Sequence, residues 1–206
     1  MTETLVCLAA PHIDSLNLVE GFSSMKSVAI DRLFSVDQLW LGPRSWLETD
    51  ERYRQLVSYV VFRHSDSVLV YRRTPKGGET RLHGRLSVGG GGHVNATDVT
   101  CRDGAIDIEA TLGRACKREI AEEIDCGEIL QLGTVGVIKE TATPVSRVHL
   151  GVVVECWLET REVKLLDPGL VDARFVPSIE LTQLSSEMET WSSSLVPYLN
   201  QSKQSA

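Results

Sequence analysis

The period of the apolar positions changes along the chain. In the first half, short β-branched runs dominate. Residues 59–63 (YVVFR) and 67–72 (SVLVYR) flank His64-Ser65-Asp66, and two such runs around a polar turn predict a β-hairpin. Further on, Leu112, Cys116, Ile120 and Ile124 recur every four residues. At about 100° per residue they share one helix face, which predicts a helix over 108–125. Strands are predicted at 130–139, 148–158 and 163–166, with a short extended piece at 174–176. A helix is expected to start at 177 or 178, and a terminal helix to span 187–199. The stretch 74–79, with Pro75, Gly77 and Gly78, reads as a loop, and 85–88 as an extended piece leading into four glycines, 89–92. The polar segment 95–107 reads as a second loop. Strands, a helix, more strands and then helices predict an α/β fold with a mixed β-sheet sandwiched between helices.

The first 50 residues are more mixed. An apolar patch at 5–10 and another at 33–41, with Trp40, precede Gly42-Pro43. We expect residues 1–54 to form an extension packed on a main domain, 55–206, that carries the C-terminal helix.

Composition narrows the function. Apolar residues at 42% and charged residues at 24% are ordinary for a soluble globular protein. The net charge is −7 and no Lys/Arg run is present, which argues against a nucleic-acid polymer or a membrane surface as partner. No apolar run reaches the ~20 residues of a membrane span. The five cysteines are odd in number and none is paired in a C-x-x-C motif. That disfavours a disulfide framework or a zinc cluster and points to a reducing compartment. The N-terminus lacks a basic segment followed by a long apolar one, so a cytoplasmic location is expected.

The chemistry concentrates in residues 118–125, REIAEEID. Glu119, Glu122 and Glu123 stand at i, i+3 and i+4, on one helix face beside the apolar stripe. Like charges at that spacing cost an isolated helix about 0.2–0.5 kcal/mol per pair. A solvated acidic face is the ordinary reading of such a cluster. A hard divalent cation with a preference for oxygen ligands would offset the repulsion. The glycine run has no Lys-Ser or Lys-Thr after it, so it is not a GxxxxGK[ST] phosphate loop.

Taken together, Gly91-Gly92-His93-Val94, a loop, and a helix bearing R-E-U-x-E-E (U aliphatic) resemble the Nudix box, G-x5-E-x7-R-E-U-x-E-E-x-G-U. Gly92, Arg118, Glu119, Ile120, Glu122, Glu123 and Cys126 occupy its positions, and the resemblance covers roughly residues 55–180. The long Gly-Gly-His-Val-Asn loop is similar to that of a bacterial and phage branch of the family. Three departures stand out. Gly92 and Glu119 are separated by 26 residues, 12 more than in the pattern. Its first glutamate falls on Ala110, with Glu109 one position off. Its late glycine is Asp125, with Gly127 two residues on.

The resemblance implies a magnesium-dependent hydrolase, with manganese as a substitute, that cleaves a diphosphate linkage in a nucleoside diphosphate joined to another moiety. It implies Glu119 and Glu123 as main metal ligands, Glu122 completing the site, and the Gly91 carbonyl as a further ligand. Glu122, Glu123 and Arg118 form the implied catalytic set, with Arg118 orienting a glutamate. A general base could be a box glutamate or one of Glu140, Glu155, Glu159, Glu162 and Asp167. Of these, Glu155 lies in an apolar strand and needs a partner if buried. Phosphate contacts could come from Arg72, Arg73, Arg81, Arg85 or Arg147, and stacking from Trp40, Tyr53 or Tyr59. His93 and His149 are expected to be hydrogen-bonded structural residues, since magnesium prefers oxygen. The substrate is expected to be small, phosphorylated and nucleotide-like, and the chain has room to form a homodimer. Ala110 and the long insertion leave a second reading open, a non-catalytic Nudix-like module that senses a nucleotide or binds a partner. The loop at 95–107 is expected to border the substrate pocket rather than to join the core.

Overall fold

The computed structural model describes residues 3–28, 30–76 and 80–201. The loop expected at 74–79 therefore lies partly outside the described residues. The predicted α/β class is observed. Ten strands form one mixed sheet, and its main path runs Leu170–Pro177, Ser67–Arg73, Tyr53–His64, His149–Leu158, Ile129–Lys139, Gly21–Ser24. The predicted hairpin is present, with His64 opposite Ser67 and Ser65 turning at a φ of +51°. The strands Tyr53–His64 and His149–Leu158 run parallel. The Gln55 N–H donates to the Val148 carbonyl (2.7 Å) near their starts, and Arg63 meets Glu155 near their ends.

The chain divides into two compact units. The first comprises residues 1–59, 91–118 and 134–154. Its core includes Val6, Leu8, Ile13, Leu33, Leu56, Val94, Leu112, Val137, Leu150 and Val152. The N-terminal strand Thr4–Ala9 pairs with both Leu39–Pro43 and the start of Tyr53–His64, so the first early apolar patch and the end of the second are strands of the sheet. The segment 95–107 differs from the expected loop. It holds a 3-10 turn, Ala96–Asp98, and a small hairpin in which Cys101–Arg102 pairs with Ala105–Ile106. Asp103 and Gly104 turn that hairpin with φ of +53° and +79°, as an Asp-Gly pair does. Val99 and Ile106 pack against the core, so the segment is structural. It also starts the helix that follows. Asp107 accepts from the Ala110 N–H through Oδ1 (3.1 Å), which satisfies an N–H that a helix start leaves open, and its carbonyl accepts the first helical bond, from the Thr111 N–H (2.9 Å).

The second unit comprises residues 60–90, 119–133 and 155–206. Phe62, Leu69, Val70, Tyr71, Leu86, Leu158 and Leu195 are among its buried side chains. Arg63 is also buried here, with its side chain fully covered. It pairs with Glu155 at 2.8 Å, donates to Ser178 Oγ (3.2 Å) and lies 4.7 Å from the centroid of the Trp157 ring. Glu155 thus has the partner that its apolar strand demanded. The terminal helix runs over Thr190–Gln201. Its N-terminus is held by the buried Glu189, whose carboxylate accepts from the Trp191 and Ser192 N–H groups (2.8 and 2.9 Å) and from the Ser192 hydroxyl.

Candidate active site

The helix predicted over 108–125 spans Ile108–Glu123. Its stop is set from a distance: the Glu123 carbonyl accepts from the N–H groups of Leu166 (2.8 Å) and Asp167 (3.3 Å). Ile124 and Asp125 then leave the helix and pair with Leu165 and Lys164. Asp125, where the box has glycine, is extended; the positive φ falls at Gly127, +68°. The three box glutamates close the helix. Glu119 is buried at 9% exposure, Glu123 is half-buried and Glu122 is exposed. All three belong to the second unit.

Gly90 explains how Glu123 is accommodated. It pairs with Val60 in the sheet. A β-carbon on Gly90 would run into the Glu123 carboxylate and would stand 2.7 Å from the Tyr71 hydroxyl. Only a bare α-carbon leaves room for both oxygens. Arg73 Nη2 and Ser87 Oγ both donate to the neighbouring Gly89 carbonyl, at 3.1 and 2.9 Å, which fixes the backbone just before it.

Gly91 and Arg118 lie in the first unit. Gly91 has a φ of +130°, and a β-carbon there would collide with the Ser58 carbonyl. Ser58 N–H donates to the Gly92 carbonyl at 2.9 Å. The resemblance implied that Arg118 orients a glutamate. The structure places its guanidinium on the buried Asp98 (Nη2–Oδ2 2.9 Å, Nε–Oδ1 3.2 Å) and on the His93 carbonyl (2.9 Å), where it ties the segment after the glycines to the helix. His93 and His149 are hydrogen-bonded, as expected, and to each other: their Nε2 atoms are 3.0 Å apart. His149 Nδ1 is 2.7 Å from the Val145 carbonyl. Burial, aided by His149, lowers the His93 pKa to about 4.

Several of the candidate phosphate-binding arginines are engaged by other groups of the protein. Arg72 bonds to the Gly84 carbonyl and Glu187, Arg85 to the Ser186 carbonyl, and Arg147 to Glu51. Arg73 is bound at the glycine run, on the Gly89 carbonyl. Among the carboxylates considered as a base, Glu155 is held by Arg63, and Asp167 Oδ1 accepts from the Gly169 N–H at 2.7 Å. Trp40 and Tyr53 contact each other edge to face at 6.4 Å.

Sequence reasoning missed three residues here: Tyr71, Asp98 and Glu189. Asp98 carried a signal, because Asn95 and Asp98 stand at the spacing of a capping box, and the Asp98 half of it forms, its carboxylate accepting from the Asn95 N–H. Tyr71 reads as ordinary strand core. Glu189 caps a helix from a position where Ser, Thr, Asp or Asn is usual.

The donor chemistry of the three glutamates fits a hard divalent cation, since all three offer carboxylate oxygens. The Gly90 cradle shows that one of them is given a place. Among the described residues, however, no three His, Cys, Asp or Glu side chains are grouped so as to hold a metal ion as they stand. Among the described residues, too, no helix is long and apolar enough to cross a membrane.

The chain is 32% identical over 157 residues to Protein YmaB of Bacillus subtilis (strain 168), a match spanning 74% of each chain. Its structure is similar to that of Tm1382, a candidate Nudix hydrolase, with a TM-score of 0.75 and 25% identity over 96% of this chain and 98% of that one. It shares a fold with the bifunctional NMN adenylyltransferase/ADP ribose pyrophosphatase of Francisella tularensis, solved with AMP and a manganese ion, at a TM-score of 0.50 and 14% identity. That match covers 76% of this chain and 44% of the other. No family model matches the sequence. With the box residues on one helix end and this relationship to Nudix structures, the chain belongs to the Nudix hydrolase family.

Proposed function

We propose that this protein is a divalent-metal-dependent hydrolase that cleaves the diphosphate linkage of a nucleoside diphosphate joined to another moiety. The observation that carries the proposal is the accommodation of the Glu123 carboxylate over the bare α-carbon of Gly90, on the helix end that also bears Glu119 and Glu122. Glu119, Glu122 and Glu123 would hold magnesium or manganese. The Gly91 carbonyl and Arg118 take the parts that the family resemblance gives them, a further ligand and a helper of the catalytic glutamates. When bound, the metal offsets charge on the diphosphate oxygens and lowers the pKa of an attacking water. The glutamates place that charge at the helix end, with Glu122 the one open to solvent. The Francisella protein, with its AMP and manganese ion, makes a nucleotide-like substrate and a divalent cofactor reasonable here. A cytoplasmic setting suits five cysteines present as thiols, four of them buried, and the homodimer expected from the sequence is checked by sedimentation equilibrium.

The test is a substrate panel of nucleotide sugars, ADP-ribose, NADH, dinucleoside polyphosphates, nucleoside triphosphates and coenzyme A. Each is incubated with magnesium or manganese, and the products are resolved by chromatography. Cleavage of one compound between its phosphates, abolished by chelation, supports the proposal. The second reading, a nucleotide-sensing or partner-binding module, is favoured by the ungrouped carboxylates and by Ala110 in place of the first box glutamate. It predicts tight binding of a panel compound with no turnover.

A further inference from the structure

Tyr71 lies in the strand Ser67–Arg73 and has no exposed surface. Its ring packs as core, yet its hydroxyl is buried without a hydrogen-bond partner. Phenylalanine would supply the same packing without the cost of stripping water from a hydroxyl. The oxygen is therefore informative, and its surroundings show what it can serve. Opposite Tyr71 in the sheet is Ser87, whose hydroxyl donates to the Gly89 carbonyl. The Arg73 guanidinium lies 5.8 Å from the Tyr71 ring centroid and offers only donors. Glu189, also nearby, already accepts two backbone N–H groups and the Ser192 hydroxyl. Two acceptors remain, the Ser87 hydroxyl oxygen and the Glu123 carboxylate; the carboxylate is the charged one, which a phenol donor favours, and it faces the phenol across the missing side chain of Gly90.

We propose that Tyr71 is a positioning residue for Glu123: its phenol donates to the Glu123 carboxylate, directly or through one water, and sets that carboxylate toward the metal. This rests on the reading of Glu123 as a metal ligand. It gives Gly90 its reason as well, because any larger residue would stand between donor and acceptor. Groups that orient a metal ligand typically contribute about 10–100-fold to metal affinity or activity.

The experiment titrates manganese alone into the full chain, with free manganese read by electron paramagnetic resonance. Wild type, Tyr71→Phe, Glu123→Gln and the double variant are compared, with the thermal midpoint of each as a control. Tyr71→Phe is expected to weaken manganese binding by about tenfold or more while leaving the midpoint unchanged or raised. In the Glu123→Gln background the same substitution is expected to do nothing further, the mark of two residues acting through one contact. Wild-type affinity in Tyr71→Phe, beside a clear loss in Glu123→Gln, overturns the role of Tyr71 and leaves the metal site standing. Wild-type affinity in Glu123→Gln overturns the metal site itself. If Tyr71→Phe lowers the midpoint, 3-fluorotyrosine at position 71 keeps the ring and sharpens the donor. Equal or tighter manganese binding then supports the role, and weaker binding overturns it.

Discussion

Arg63 and Glu155 meet at 2.8 Å with the arginine side chain wholly buried and the glutamate side chain 8% exposed. Neither charge has water to fall back on, so each depends on the other. Glu155→Gln leaves the guanidinium without its counter-charge and is expected to cost about 3–5 kcal/mol, read as a lower midpoint in urea at unchanged slope. Replacing both with leucine should cost much less. An equal loss in the single and double variants would show that packing, and not the uncompensated charge, is what matters.

A second expectation concerns pH. Burial holds the His93 pKa at about 4, against an ordinary value of 6.5. The folded state therefore binds this proton less readily than the unfolded chain does. The stability linked to His93 is fully present above about pH 6.5 and is lost as pH falls toward 4. It amounts to something on the order of 2–3 kcal/mol. Thermal midpoints measured between pH 7 and 4 should fall less steeply in His93→Gln than in wild type. Parallel curves would mean that His93 binds its proton equally well in the folded and unfolded states.

Turnover on a substrate identified in the panel should depend on Glu123. Glu123→Gln keeps the shape and removes the charge, and losing electrostatic stabilisation of this kind typically lowers kcat by about 10²–10³-fold. The exposed Glu128, off the box, is the matched control, and Glu128→Gln should be silent. Millimolar magnesium should raise the thermal midpoint of wild type more than that of Glu123→Gln, because the ion binds only the folded chain.

The segment 95–107 should prove structural. Asp98 accepts from the Asn95 N–H (2.9 Å) and from the Arg118 guanidinium, and Thr100 N–H donates to Thr111 Oγ1 at 3.0 Å. Asp98→Ala is expected to lose about 2–4 kcal/mol, since hydrogen bonds to charged groups contribute about 1.5–3 kcal/mol each. Hydrogen exchange would locate the loss in the first turns of the helix Ile108–Glu123. Protection unchanged there would refute the tie.

At Gly91 two obstacles coincide, a φ of +130° and the Ser58 carbonyl in the place of a β-carbon. Gly91→Ala is expected to destabilise the fold by at least the 1–3 kcal/mol of a strained backbone position, whereas Gly104→Ala, in open space, meets only the conformational term. Chemical denaturation of the pair separates the two effects.

Residues 59–72 could be read from the sequence because local rules decide them: β-branched alternation, then three polar residues that turn. The helix stripe was legible for the same reason. Its last residues were not, because the helix stops where N–H groups some forty positions later reach the Glu123 carbonyl. The hairpin at 101–106 carried its Asp-Gly signal but is too short for periodicity to reveal. Glu155 announced a need for a partner without naming it, since Arg63 is 92 positions away. Among the site residues, the glutamates were visible as a motif. Tyr71 was invisible, because a tyrosine in an apolar strand differs from core phenylalanine by one oxygen, and only the space over Gly90 gives that oxygen a use.

The division of the chain has a consequence at the level of the gene. Each compact unit is stitched from three separate stretches of sequence, and the helix with the box glutamates passes from one unit to the other between residues 118 and 119. No single truncation point yields either unit whole. Recombination can inherit this architecture only as one cassette, and an expression library of nested deletions should return no fragment that contains one unit intact and the other absent.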